Sequence, residues 1–275
     1  MIKPILSQSN SMSLDEVLKH LSRNRAVEGV LTLGSTRARE LHEHSDYDLL
    51  VVLSQMPVPL RVILTTIDGR LTDVLFAHTT LISEIVSGQY KRAKTAEEGA
   101  LVERLKTGEV IHDRDGRIRQ AQLMLADREW LVKPSDSEVY DRAVHGIHYN
   151  YQQNKRYLAC DDPAYHLVLD FRLHYSLTQV LWDYFIVRRI PWQGEKMAFS
   201  YWREHDPKYL ALFEAYHATT NRHEKFAIYT EMAEQTLKPI DGMWPAQAVN
   251  VALDADEFNI DDVEKAIHFW QSLFI

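Results

Sequence analysis

The chain has 275 residues, enough for one large domain or two ordinary ones, and its apolar share of 45% excludes a disordered chain. The formal net charge of −8 disfavours a protein that mainly grips nucleic-acid backbones, and it favours small or cationic substrates. The single cysteine, Cys160, excludes a disulfide framework and a cysteine-based zinc site.

The N-terminal residues lack the pattern of a signal peptide, and the sequence has no apolar run long enough to span a bilayer. Together with the lone cysteine, these features predict a cytoplasmic protein with no membrane partner.

The first 80 residues alternate between helix and strand signals. Ser13 and Glu16 have the spacing of a capping box, which predicts a helix from about 13 to 24. An Asp68-Gly69 pair between two β-prone runs predicts a hairpin. The pattern predicts strands at 29–33, 46–53, 61–67 and 70–77, and a short helix at 35–41.

The sequence changes character after about residue 117. A second capping motif at Thr95 predicts a helix that ends near Gly108, followed by a small strand at 109–112. Beyond 118 no strand alternation is found. Helices are predicted at 135–159, 161–189, 195–205, 207–217, 222–237 and 261–274.

These elements predict an α+β fold with two domains. Residues 1–117 would form a mixed β-sheet with flanking helices, and residues 118–275 an all-α helical bundle.

Two carboxylates stand at the start of the predicted strand 46–53. Asp46 and Asp48 are two residues apart, so an extended chain projects both to the same face. Close carboxylates repel each other unless a cation lies between them, and Mg²⁺ prefers such hard oxygen ligands. Asp73, within an apolar strand, is the candidate for a third carboxylate.

A Gly-Ser pair precedes the carboxylates by about a dozen residues. Gly34 permits close backbone approach, and Ser35 adds a hydroxyl at the start of a predicted helix, where free N–H groups can bind a phosphate. Arg37 and Arg39 in the same turn are candidates to support it, although solvated surface charge is the expected role of at least one.

The combined pattern resembles the DNA-polymerase-β-like nucleotidyltransferase superfamily. The matching residues are the Gly-Ser pair in 33–39 and the Asp-x-Asp motif in 45–49, followed by Asp73 on a later strand. They are similar to the small-substrate branch, which holds the minimal and the aminoglycoside nucleotidyltransferases. Residues 173–177 and 191–196 resemble, more loosely, substrate-facing parts of the helical domain in such enzymes.

The resemblance implies a nucleotidyltransferase domain with two Mg²⁺ ions held by Asp46, Asp48 and Asp73. An acceptor hydroxyl would attack the α-phosphate of ATP or another nucleoside triphosphate and release pyrophosphate. Ser35 would hold the β- and γ-phosphates, and Lys196 resembles a lysine that reaches the triphosphate. The role of Asp73 stays open between ligand, base and both.

The leading expectation is transfer of a nucleoside monophosphate to a hydroxyl of a small molecule such as an aminoglycoside-like antibiotic. AMP is the preferred candidate for the transferred group. Transfer of AMP to a protein, as in antitoxin-type enzymes, and a non-catalytic nucleotide-binding or toxin-neutralising module are the alternatives. Nucleic-acid partners are disfavoured by the charge, and a homodimer is left open.

Several further features have simple structural explanations. His42 and His44 around Glu43 are best explained by a solvated loop, because no further ligand is near in sequence. Arg142 and His148 match a loose Arg-x5-His motif of helical ribonuclease domains, but a continuous α-helix would place them on different faces. The aromatic residues between 149 and 185 are expected to pack helices, with a few open to stacking on a base or sugar.

Overall fold

The computed structural model describes residues 12–38, 41–245, 248–253 and 259–274. The chain divides into two compact units, residues 1–132 and 133–275. The predicted boundary after residue 117 lies at the start of a helix that belongs to the first unit, and a division there stays a prediction. No helix within the described ranges is both long and apolar enough to cross a membrane.

The first unit contains a five-stranded mixed sheet in the order β3-β4-β2-β1-β5. Only the central β2–β4 pair is parallel, and the other three pairs are antiparallel. The strands are β1 (Val27–Thr32), β2 (Tyr47–Leu53), β3 (Val62–Ile67), β4 (Arg70–His78) and β5 (Glu109–Asp113). The α+β fold predicted from the sequence is confirmed.

Helices cover both faces of this sheet. Leu49 and Val51 of β2 point to the face that carries Val17 of the first helix, and Leu50 and Val52 point to the face that carries the other helices. Burial on both faces explains the almost continuous apolar run of β2. The helices are α1 (Leu14–Arg23), α2 (Gly34–Ala38), α3 (Thr79–Val86), α4 (Ala96–Thr107) and α5 (Arg117–Leu125).

Turn chemistry explains the hairpin between β3 and β4. Asp68 and Gly69 have φ angles of 57° and 75°, the left-handed pair that a two-residue type I′ turn requires. The predicted hairpin is therefore present at its predicted position.

The second unit is entirely helical within the described residues. Its long helix α8 packs against α7 and α11 around a core of buried aromatic and aliphatic side chains. The helices are α6 (Asp136–Asp141), α7 (Tyr149–Leu158), α8 (Pro163–Val187), α9 (Glu195–His205), α10 (Pro207–Ala218), α11 (Arg222–Leu237) and α12 (Ile260–Ser272).

The helices predicted from the sequence need three corrections. The stretch predicted as one α-helix from 135 to 159 is interrupted by a seven-residue π-helix, Arg142–His148, between α6 and α7. The helices α3 and α5 were not predicted. The N-cap of α3 is the side chain of His78, and that of α5 is the left-handed Gly116, so neither start carries the usual Ser, Thr, Asp or Asn.

Candidate functional site

The parallel pairing of β2 and β4 brings two of the predicted carboxylates together. Asp48 and Asp73 are direct partners in the strand register, so their side chains point to the same face of the sheet. Neighbouring strands lie about 4.8 Å apart, which places the two residues side by side. Both residues are half-buried at the edge of the apolar rows Leu50–Val52 and Leu75–Ala77.

Asp46 precedes β2 and is also half-buried. The loop before it is held by Arg70 at the start of β4. One guanidinium nitrogen, Nη1, donates to the carbonyl oxygens of His42 at 2.6 Å, Glu43 at 3.1 Å and Ser45 at 2.9 Å. Arg70 therefore fixes the chain that leads into Asp46.

Gly34 lies directly against the Asp48 carboxylate. Its φ angle is +49°, and a Cβ built on it would stand 2.9 Å from Oδ2 of Asp48. Any side chain at this position would therefore displace the carboxylate in addition to straining the backbone. The glycine of the Gly-Ser pair is thus required by the carboxylate that the same motif supplies.

Thr36 joins α2 to the first residues of β2. Its buried hydroxyl accepts the backbone N–H of Asp48 at 3.0 Å, and the N–H of Leu33 donates to the Asp48 carbonyl at 2.9 Å. Both backbone groups of Asp48 are therefore held by the turn that carries the Gly-Ser pair. Sequence analysis missed Thr36 and Arg70, because their partners lie 12 and at least 25 residues away in the chain.

The remaining predicted binding residues have different surroundings. Ser35 is half-buried in the five-residue helix α2, and Arg37 is exposed and donates to the Thr107 carbonyl, which makes it a structural contact. Arg39 lies outside the described residues. Lys196 is exposed in the first turn of α9, in the second unit.

The carboxylates of the first unit differ in how they can contribute to a Mg²⁺ site. Among the described side chains, no group of three His, Cys, Asp or Glu residues is placed to hold a metal ion, so the three predicted carboxylates Asp46, Asp48 and Asp73 do not form such a group. The adjacent carboxylates of Asp48 and Asp73 nevertheless match a cation that takes one or two carboxylates and completes its shell with substrate phosphates and water. The residues thus fit a magnesium ion that is held jointly with a nucleotide.

The histidines of the loop before Asp46 behave as surface residues. His42, Glu43 and His44 are exposed, and their loop is held through its backbone carbonyls. This agrees with a solvated loop.

Arg142 and His148 have separate partners in the π-helix. Arg142 lies 3.8 Å from the Asp183 carboxylate, whereas the buried His148 ring stacks on Trp244 with centroids 4.7 Å apart. Burial lowers the pKa of His148 to about 4, which keeps the ring neutral near pH 7. No contact joins Arg142 to His148 among the described residues.

A row of polar side chains lies between α8 and the helices that precede it, and four of these side chains are buried. We call it the polar seam: Arg172, Ser176, Gln179 and Asp183 of α8 against Gly146, Asn150 and Asn154. The spacings of four and three residues place each set on one helix face.

Hydrogen bonds run along most of the polar seam. Arg172 donates to Asn150 at 2.7 Å and to Asn154 at 3.1 Å. The Asn150 amide donates to Gln179 at 2.8 Å, and the Asn154 amide donates to Ser176 at 2.9 Å. These bonds satisfy polar groups that would be costly to bury alone.

Asp183 lies at the end of the polar seam, and its carboxylate does not take part in these hydrogen bonds. Neither carboxylate oxygen has a hydrogen-bond partner among the described residues, and the side chain is 0% exposed. Burial raises its pKa to about 8, against the opposing charge of Arg142. A Cβ on Gly146 would stand 2.6 Å from Asp183 Oδ2, so the glycine admits the carboxylate.

The second unit also contains a cavity of about 830 Å³. The size is that of a small-molecule pocket, and Val139, Tyr140, Trp244 and Ile260 are among its lining side chains. None of the residues that carry the resemblance in this unit, 173–177 and 191–196, lines it.

Comparison with known proteins gave likenesses to solved structures. No family model matches the sequence, and no curated protein matches it. The chain is similar to a nucleotidyltransferase-like protein from Exiguobacterium sibiricum 255-15, at 11% identity and a TM-score of 0.39, over 83% of this chain and 77% of that chain. A likeness this remote does not transfer an activity to this chain.

Proposed function

We propose that this protein is a Mg²⁺-dependent nucleotidyltransferase that transfers a nucleoside monophosphate to a hydroxyl of a small molecule and releases pyrophosphate. AMP from ATP is the first candidate for the donor. The observation that carries the proposal is the side-by-side pair Asp48 and Asp73. The absence of a side chain at Gly34 leaves space for the Asp48 carboxylate.

The paired carboxylates of Asp48 and Asp73 would hold Mg²⁺, and the resemblance adds Asp46 as a third ligand. The resemblance implies two ions. Bound there, Mg²⁺ supplies positive charge that neutralises the triphosphate and favours loss of pyrophosphate. The protein's own part is to hold the carboxylates in place, through the Thr36 and Leu33 contacts to Asp48 and the Arg70 contacts to the loop before Asp46.

The triphosphate would be bound by Ser35, and the resemblance implies Lys196 as a further phosphate ligand. Ser35 stands in the turn whose backbone is joined to Asp48, so a phosphate near the carboxylates would also lie near this hydroxyl. The formal net charge of −8 supports a cationic acceptor, and an aminoglycoside-like molecule is one such compound.

The test is pyrophosphate release by the purified full chain with ATP, Mg²⁺ and a panel of polyhydroxyl acceptors that includes aminoglycosides. Asp48→Asn should lower the rate by roughly a thousandfold, as expected when a group that stabilises transition-state charge is lost. Asp68→Asn is the matched control, because it makes the same chemical change in an exposed turn of the same sheet and should leave the rate unchanged.

Two outcomes would contradict the proposal. Failure to bind ATP in the presence of Mg²⁺, with no pyrophosphate release from ATP in the presence of any acceptor, would exclude a nucleotidyltransferase. ATP binding without turnover across the panel would instead favour a nucleotide-binding module. Label from α-³²P-ATP that appears on protein, rather than on a small molecule, would assign the acceptor to the protein class.

A further inference from the structure

The long helix α8 carries a continuous row of exposed side chains on one face. We call it the α8 stripe: Ala164, Val168, Phe171, Tyr175, Thr178 and Trp182, all exposed. Their spacings alternate strictly between four and three residues, which is the pattern of the a and d positions of a coiled coil. Over this span the helix is about 28 Å long, at 1.5 Å per residue.

No charged residue interrupts the α8 stripe. Apart from two histidines, the helix contains three acidic or basic residues, and each is directed elsewhere. Asp170 forms two 2.7 Å contacts with Arg222, Arg172 donates to the polar seam, and Asp183 is buried. A surface helix usually exposes a polar face, but α8 exposes the apolar stripe in addition to burying an apolar face in the core of the second unit.

The exposed apolar area is large for a single helix. Phe171, Tyr175 and Trp182 are 74%, 49% and 46% exposed. With about 200 Å² for a whole aromatic side chain, they leave on the order of 350 Å² in water. Two copies of the stripe supply roughly 700 Å², more than half of the ~1,200 Å² that the smallest stable interfaces bury in total.

We propose that two copies of this chain associate through the α8 stripe as an antiparallel helix pair around a two-fold axis near Leu173. We choose a second copy as the partner because the order of side chains along the stripe is complementary to itself. An antiparallel pairing places Phe171 of one copy opposite Tyr175 of the other, and Val168 opposite Thr178. The outermost layer pairs the smallest member, Ala164, with the largest, Trp182.

The antiparallel arrangement also satisfies the general rules of helix pairing. Each layer combines an a position of one helix with a d position of the other. The positive end of each helix dipole lies beside the negative end of its partner. The two-fold axis closes the assembly, because each copy uses the same patch on both sides.

The first test measures mass by sedimentation equilibrium of the full chain over a wide concentration range. The wild-type protein should reach twice the chain mass of 32.0 kDa. Phe171→Glu, in the central layer, should weaken dimerisation by roughly a hundredfold, as for the loss of an interface hot spot. Leu123→Glu is the control, because Leu123 is equally exposed on α5 of the first unit and should not affect the mass.

The second test reports the direction of pairing. Val168→Lys alone and Thr178→Glu alone should each weaken the dimer, because each places one charge in an apolar layer. The double variant should restore it, since an antiparallel pair sets each lysine opposite a glutamate of the other copy. Both replacements suit a helix, and circular dichroism checks that every variant is folded.

Two results would overturn the proposal. A monomer at all concentrations would do so, as would a dimer that Phe171→Glu leaves intact. A dimer that persists in Phe171→Glu but dissociates in Phe269→Glu would instead place the interface on the exposed face of α12. If Phe171→Glu aggregates, the loss in Val168→Lys and its rescue in the double variant decide the question.

Discussion

At the scale of single residues, Gly34 has two separate reasons to be glycine. Its φ angle of +49° is unfavourable for any residue with a Cβ, and its missing side chain leaves space for the Asp48 carboxylate. The first reason concerns stability, and the second concerns where Asp48 stands. A comparison of two glycines separates them.

We predict that Gly34→Ala and Gly88→Ala destabilise the protein similarly, by about 1 kcal/mol, because both glycines have left-handed φ angles. Gly88 has nothing within 4 Å of a built Cβ, so only Gly34→Ala displaces a carboxylate. Urea unfolding measures the stability, and pyrophosphate release measures the activity. Equal activity of the two variants would contradict a role for this contact.

Burial of the Asp183 carboxyl lowers the stability of the folded protein as the pH rises towards neutral. Its pKa rises from 3.8 to about 8 in the folded protein, because burial penalises the charged form more than Arg142 favours it. The stability that the protonated carboxyl contributes is complete below pH 3.8 and is lost as the pH rises towards 8. The charged groups that bear on it are Arg142 and Asp141.

We predict that Asp183→Asn removes this loss, so that the variant gains on the wild type as the pH rises from 4 to 8, by an amount on the order of a few kcal/mol. Chemical unfolding at a series of pH values measures the difference. Asp170→Asn on the same helix is the control with the opposite sign, because the side-chain hydrogen bond from Arg222 lowers the pKa of Asp170. A parallel pH dependence of wild type and Asp183→Asn would show that burial does not control this carboxyl.

At the scale of elements, the loop before β2 depends on a residue of β4. The Arg70 guanidinium gathers three backbone carbonyls between His42 and Ser45 and lies 5.7 Å from the Tyr47 ring centroid. The parallel pairing of β2 and β4 places Arg70 within reach of the loop. The position of Asp46 is therefore linked to the strand that carries Asp73.

We predict that Arg70→Ala loosens residues 42–45 and lowers pyrophosphate release by roughly tenfold to a hundredfold, as expected for the loss of a supporting contact behind a metal ligand. Hydrogen exchange of the loop amides measures the loosening. Arg61→Ala on the neighbouring hairpin removes an exposed arginine and serves as the control. Unchanged exchange in Arg70→Ala would mean that the loop is held by other contacts.

The π-helix is the element that departs furthest from the sequence prediction. Residues 135–159 have good helical signals from the capping box at Ser135 onward, and the helical run is present. Its widened middle turn packs against α8, where Gly146 approaches both Asp183 and Gln179. Those partners lie in another helix, so nothing local in the sequence predicts a π-helix here.

At the scale of the whole molecule, the chain contains two kinds of core. The first unit is built on a sheet whose central strand β2 is apolar on both faces, and its paired carboxylates lie near the start of β2 and within the neighbouring strand β4. The second unit is a helical bundle with an aromatic core and a polar seam. The candidate chemistry in the first unit and the proposed contact between copies in the second therefore rest on separate packing arrangements.

The sequence by itself determined the order and type of most elements, because periodicity, caps and the Asp68-Gly69 turn act over a few residues. It also identified Asp46, Asp48 and Asp73 as the candidate carboxylates, since charges in apolar strands are conspicuous. Only the tertiary structure placed Asp48 beside Asp73, because strand register depends on pairing across the sheet. The same holds for the roles of Arg70, Thr36, the polar seam and the α8 stripe. Each role depends on which side chains are buried or in contact, and that is decided by partners distant in the chain.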